Sequence, residues 1–166
     1  MKAKRLLLLV IPVGLICFVF ISAFTKNSLQ QPGIRQQLIG EWRNIALRIK
    51  RNIKDQVKPA MVEADSTNWE AKLGIKPIRT HFKTDGSYYS EYFNLKDSLI
   101  RRTSGTWIVK NDSLTMTQLV PDKSTTKLHV SIRNNVATFT GIIDFDGNGK
   151  LDDDYFGMQR KISVKP

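Results

Sequence analysis

The sequence predicts an all-β fold, an antiparallel up-and-down barrel of about eight strands preceded by an N-terminal transmembrane or signal helix. Three observations predict it. From residue 77 onward, strand-length runs with period-two alternation recur about every ten residues. Turn-forming residues separate them: Asp85-Gly86, Asn111-Asp112, Pro121-Asp122-Lys123 and Asn134-Asn135. No crossover helices stand between these runs, which excludes the parallel α/β classes.

The N-terminal helix rests on charge and length. Lys2, Lys4 and Arg5 precede residues 6–24, a run of 19 residues with no charge. A spanning helix needs about 20 residues at ~1.5 Å each to cross ~30 Å of hydrocarbon. A secretory signal needs an apolar stretch of only about 7–15. The run therefore leans toward an uncleaved anchor, residues 1–24, and Pro12 and Gly14 are tolerated in such helices. Cleavage after Ala23 is the alternative. A lipoprotein reading at Cys17 meets Ile16 where a small residue is needed. The basic flank places residues 25–166 outside the cytoplasm, in the cell envelope, or secreted if the segment is cleaved. The membrane is thus an expected partner.

Cys17 is the only cysteine, so residues 25–166 have no disulfide to hold them. The chain carries a net charge of +11. Without Lys2, Lys4 and Arg5, 23 basic residues face 15 acidic ones, a surplus of +8. Such a surplus suits an anionic surface. Nucleic acid is not expected, because no basic run alternates with stacking aromatics. Oligomeric state is not readable.

Residues 25–37 are polar, with Gln30, Gln31, Pro32 and Gly33 in the middle, and read as a linker. The barrel domain is placed at residues 38–166. Residues 38–58 fit two periods. As a helix, Leu38, Trp42, Ile45, Ile49, Ile53 and Val57 form one stripe; as a strand, Arg43, Ile45, Leu47 and Ile49 alternate with their neighbours. Residues 60–76 read as a long connection. Within it, residues 66–74 suggest a short helix capped by Ser66 or Thr67 and stopped by Gly74, either a packed surface piece or a lid over a barrel end. The strands then follow: one through Ile78, Thr80 and Phe82; an aromatic one over 87–95; one through Leu99 and Ile100 or through 106–110; and others about Met116, Val130, 136–145 and 155–164.

Gly40-Glu41-Trp42-Arg43-Asn44-Ile45-Ala46 resembles the first-strand Gly-x-Trp motif of lipocalins, with Arg43 replacing the usual aromatic. Together with residues 80–88, 104–107 and 112–116, it makes residues 36–164 similar to the lipocalin-like domains of bacterial envelope proteins. The resemblance implies a calycin-type barrel with an interior that can hold a cavity, and it favours the strand over 40–50. It implies no particular activity. It also implies that a basic residue from the last strand covers the tryptophan. Arg160, among Phe156, Met158, Ile162 and Val164, is the candidate, unless a bulge turns it outward. Gly40, Trp42 and Arg160 are thus the expected barrel-closing residues.

Tyr89, Tyr92, Phe93 and Trp107 are candidates to line a ligand cavity; the alternative is a filled core. Asp144, Asp146, Asn148, Lys150 and Asp152 stand at positions 1, 3, 5, 7 and 9 of a calcium-type loop, with Gly149 at the turn. Tyr155 stands where such a loop needs a bidentate Glu, so Asp153 or Asp154 would have to substitute, and a solvated acidic hairpin is the alternative. His81 and His129 lie among basic residues on outward faces. No nucleophile elbow or phosphate loop is present. The expected function is a non-enzymatic envelope protein binding a small apolar or amphipathic molecule, with calcium as a candidate cofactor. The alternative is a structural or interaction module at the membrane surface with a filled barrel.

Overall fold

The computed structural model describes residues 33–52 and 60–162. The apolar run expected as an anchor lies outside them. No helix among the described residues is long and apolar enough to cross a membrane.

Nine strands form one antiparallel sheet: β1 Gly40–Arg51, β2 Ala60–Asp65, β3 Arg79–Phe82, β4 Ser87–Phe93, β5 Leu99–Lys110, β6 Ser113–Val120, β7 Ser124–Arg133, β8 Val136–Ile143 and β9 Asp153–Lys161. The order is β2-β1-β3-β4-β5-β6-β7-β8-β9, and β1 also pairs with β9. Eight strands therefore close a barrel, and β2 adds to the free half of β1. β1 divides its edge to do this: Gly40–Arg43 pair with β3, and Ala46–Arg51 with β2. Along its other edge it pairs with β9, with a bulge between Asn44 and Ala46.

That bulge explains why two periods fit the sequence. Trp42 and Asn44 point inward before it and Ile49 after it, all three buried. The extra residue swaps faces once, so Trp42 and Ile49 end up seven apart, a spacing that also fits two helical turns.

Two short elements differ from expectation. The segment expected as linker contains a helix, α1 (Ile34–Leu38), whose Leu38 is fully buried against β5 and β7. Ile34 and Leu38 are its apolar pair, and the glutamines between them masked it. The expected long connection begins with β2, whose Ala64 is buried. The helix expected next is present as α2 (Trp69–Leu73), stopped by Gly74 at φ +69. Asn68, rather than Ser66 or Thr67, precedes it. The Asn68 side chain faces back to accept the Asp65 N–H at 3.0 Å.

The hairpins set two poles. Asn134 and Asn135, both at positive φ, make the two-residue β7–β8 turn. This turn, the β3–β4 and β5–β6 turns and α1 gather at one pole, over a core that includes Leu38, Trp42, Phe82, Trp107, Leu114 and Val130. The β4–β5, β6–β7 and β8–β9 connections lie at the other pole. There Leu99, Ile100, Leu119 and Val120 remain about half exposed.

Candidate functional site

At the closed pole, each of two tryptophans is covered by a cation. Trp42 is fully buried and its indole N–H donates to Leu38 O at 2.6 Å. The cation over it is Lys161, with Nζ 5.3 Å from the ring centroid and a 2.7 Å hydrogen bond to Gln37 O. Burial pulls the Lys161 ammonium below its ordinary pKa. The expectation of Arg160 in this role is corrected: Arg160 is exposed and pairs across the sheet with Arg43 and Val136. The inner face of β9 is Asp153, Tyr155, Gly157, Gln159 and Lys161. Phe156 and Met158 face outward, where the Arg48 guanidinium lies 5.2 Å from the Phe156 ring. An apolar outer face thus imitates a core stripe. Gly40, at φ +124, is held close to the Lys161 side chain: a Cβ there would stand 3.0 Å from Lys161 Cε.

Trp107 belongs to the same pole. It packs edge-on to Phe82 at 5.2 Å, donates to Ser87 O at 3.0 Å and lies under the Arg35 guanidinium at 4.9 Å. It is core, not a cavity wall.

Above this core the barrel holds a cavity of about 230 Å³. One wall carries hydroxyls and amides from β1, β3, β4, β5 and β9: Asn44, Thr80, Ser90, Tyr92, Thr103 and Gln159. The facing wall, from β6, β7 and β8, mixes the apolar Met116, Leu128 and Ile143 with the polar Gln118, Ser124 and Thr126. No ionised side chain among the described residues lines it. Thr80 and Ser90 hydroxyls pair at 2.9 Å, and the Gln159 amide donates to Asn44 Oδ1 at 3.1 Å. Tyr155 lies along the β9 face over Gly157, where a Cβ would stand 2.5 Å from its hydroxyl. Burial, and secondarily Tyr92, pushes the Tyr155 phenol up to about 12. Burial also raises Tyr92, partly offset by the Arg101 charge and a hydrogen bond with Thr103. Arg101, exposed at the mouth, holds its guanidinium 5.6 Å from the Tyr92 ring.

Of the aromatic residues expected to line a cavity, Tyr92 does so. Tyr89 and Phe93 do not. Tyr89 is paired in register with His81 on the outer face, rings stacked at 4.3 Å, with Arg102 4.6 Å from its centroid. Phe93 lies under Arg79 at 5.4 Å, next to a register shift in β4–β5. Tyr88 and Tyr155 take their place. Strict alternation from the core residue Phe82, across the turn to Tyr88, marks 88, 90 and 92 as the inner set. His81 sits between Glu91 at 3.7 Å and Glu41 at 3.9 Å, and exposed His129 meets Asp112 at 3.2 Å.

The β8–β9 loop folds around its own carboxylates. Asp144 accepts the Asn148 and Gly149 N–H groups at 3.0 and 2.9 Å, and Asn148 Oδ1 accepts the Lys150 N–H at 2.8 Å. Oxygens of Asp144, Asp146 and Asp153 lie within 4.8 Å of one another. Asp153, one of the two residues expected to substitute for the missing Glu, completes the group, and Asp152 is not part of it. Asp153 is fully buried and accepts the Asn52 N–H at 3.0 Å and the Phe145 N–H at 2.8 Å. Burial alone would raise its carboxyl; those N–H groups, that of Asp146 and the Arg51 charge together bring it below the ordinary value. Arg51 pairs with Asp146 at 3.1 Å.

No protein-family model matches this chain, and a search of curated proteins finds no match either.

Proposed function

We propose that this chain is a non-enzymatic, lipocalin-like binding module of the cell envelope that holds a small uncharged amphipathic molecule inside its barrel. One observation carries the reading: an interior cavity of about 230 Å³ whose lining mixes hydroxyls and amides with the apolar Met116, Leu128 and Ile143. Buried pockets with a few converging polar groups are where small ligands bind. The unfilled interior favours this over a purely structural module. Among the described residues the lining offers no carboxylate, imidazole or ammonium to move a proton, which favours binding over catalysis. Placement in the envelope rests on the uncharged run at residues 6–24.

Native mass spectrometry of the full chain purified from cells tests the reading. The expected result is a co-purified molecule that Thr126→Trp, which fills the cavity, displaces. A full chain that carries nothing and takes up no small neutral probe overturns it. Calcium at the β8–β9 loop is a separate part of the proposal, supported by the three converging carboxylates. A rise in melting temperature at millimolar calcium, lost in Asp144→Asn, is its expected signature; no shift sinks it.

A further inference from the structure

Part of the cavity's polar lining is closed to an occupant. The Thr80 and Ser90 hydroxyls satisfy each other, and the Gln159 amide nitrogen is committed to Asn44. Gln159 Oε1 is shielded and out of reach. Four hydroxyls of the lining stand differently: Tyr88, Ser124, Thr126 and Tyr155. Among the described residues none of them has a hydrogen-bond partner, and none is shut away as Gln159 Oε1 is. Tyr155 stands on the inner face of β9 yet is only half-buried, with its hydroxyl held over Gly157.

These hydroxyls come from β4, β7 and β9. Around the barrel those strands are separated by two, one and two others. The unpartnered groups therefore converge on the cavity from three sides. Each can donate or accept. A molecule with one polar group matches one side and strips water from the others without replacing it. A ring with hydroxyls around its edge matches all three. A charge would enter without a counter-ion among the described lining residues, at a desolvation cost that nothing offsets. The volume equals that of about eight waters in the liquid, which limits the occupant to about one six-membered ring with its substituents. Met116, Leu128 and Ile143, set among the polar groups, meet the ring's C–H surface.

We propose that the ligand is a neutral polyhydroxylated ring of monosaccharide size, hydrogen-bonded around its edge by Tyr88, Thr126 and Tyr155, with Ser124 at the mouth. Thr126 and Tyr155 are then specificity-determining, because each rewards a ligand hydroxyl beyond the first. The inference rests on the binding function proposed above.

Four probes separate the possibilities: glucose and galactose, which differ in the configuration of one hydroxyl; cyclohexanol, which has a single hydroxyl; and glucuronate, which is charged. Binding is followed by ligand-detected NMR on the full chain in nanodiscs, with empty nanodiscs subtracted. The better of the two hexoses is expected to bind about tenfold more tightly than cyclohexanol or glucuronate. Thr126→Val combined with Tyr155→Phe is expected to remove the preference of hexose over cyclohexanol. Cyclohexanol binding as tightly as the hexoses, or more tightly, overturns the polyhydroxylated class while leaving cavity binding in place. A hexose preference that survives the double substitution overturns the assignment to these hydroxyls. Tightest binding by glucuronate, drawn to Arg101 at the mouth, overturns neutrality. Binding of none of the four overturns the cavity-binding function itself, a distinct result. If the doubly substituted chain fails to fold, the ranking of the probes on the unsubstituted chain still decides.

Discussion

Lys161 Nζ stands 5.3 Å from the centroid of the Trp42 ring, so the last residue of β9 covers the first inward residue of β1. The same ammonium donates to Gln37 O near the C-terminal end of α1, tying helix, first strand and last strand into one contact. Lys161→Ala is therefore expected to destabilise the fold by about 1–2 kcal/mol, from the lost cation–π contact and charged hydrogen bond. Arg160→Ala, one residue away and exposed, is expected to stay within about 0.5 kcal/mol. Urea melts of the two variants check the difference, and equal effects would count against Lys161 as the closing residue.

Alkaline pH should destabilise the barrel through Tyr155. Its phenol titrates at about 12 when folded, above the ordinary value of 10.0. The folded state thus favours the neutral form. Stability is fully present below pH 10 and is lost as pH rises from 10 toward 12, by about 2–3 kcal/mol. Tyr88 and Tyr92, also raised, act in the same direction. Lys161, whose lowered pKa makes the unfolded state bind more protons, acts in the opposite one. Comparison of melts from pH 8 to 11 with those of Tyr155→Phe isolates the Tyr155 share, which should vanish in the variant.

Gly105 has no room for a methyl group. A Cβ there would overlap the carbonyl oxygen of Thr117 on the neighbouring strand, beside the β5–β6 register shift. Gly105→Ala is expected to cost about 3 kcal/mol or more, because backbone rather than a flexible side chain must yield. Gly33→Ala, with nothing within 4 Å of the new methyl, is the control and should change little. Chemical denaturation of both reads the contrast.

Asp153 fastens the open pole. Its carboxylate accepts N–H groups from Asn52 and Phe145, so Asp153→Ala leaves two donors without their partner, at about 1–3 kcal/mol. Because the folded carboxyl titrates below its ordinary value, this support holds at neutral pH and is lost as pH falls through the folded pKa. Hydrogen exchange at Asn52 and Phe145 is expected to quicken in the variant while Trp42 at the other pole stays protected. Uniform loss of protection would contradict a local role.

The β periodicity and the turn residues made the barrel legible, because period-two alternation and positive-φ asparagines are local properties. Which face of a strand points inward is not local. On β9 the aliphatic and aromatic residues Phe156 and Met158 sit outside, against Arg48, while Tyr155, Gly157 and Gln159 form the interior. Hydrophobicity alone therefore selected the wrong face and, with it, Arg160. Tyr89 was misplaced for a related reason: in a run of adjacent tyrosines every second one is outside, and only the register against Phe82 tells which. The acidic loop's spacing singled out Asp144 and Asp146. It also offers Asp153 or Asp154 for the missing Glu, and the choice of Asp153 is made by where β9 begins and where Asn52 approaches from the end of β1. β2 and α1 are too short to show a period of their own.

Both described ends of the barrel domain meet at the pole away from the cavity mouth. The Ile162 N–H donates to Glu41 O at 2.9 Å, and Gln37 donates to Gly33 O at 3.1 Å just before β1. A tether or immobilising tag placed at either end thus pulls on the plugged pole and leaves the mouth unobstructed. A circular permutation joining residue 162 to residue 33 needs only a short splice, and opening the chain at residues 94–98 would put the new ends beside the mouth. A chain tethered at the plugged pole and a chain opened at the mouth would distinguish obstruction of the mouth from loss of fold with the same ligand and the same sheet.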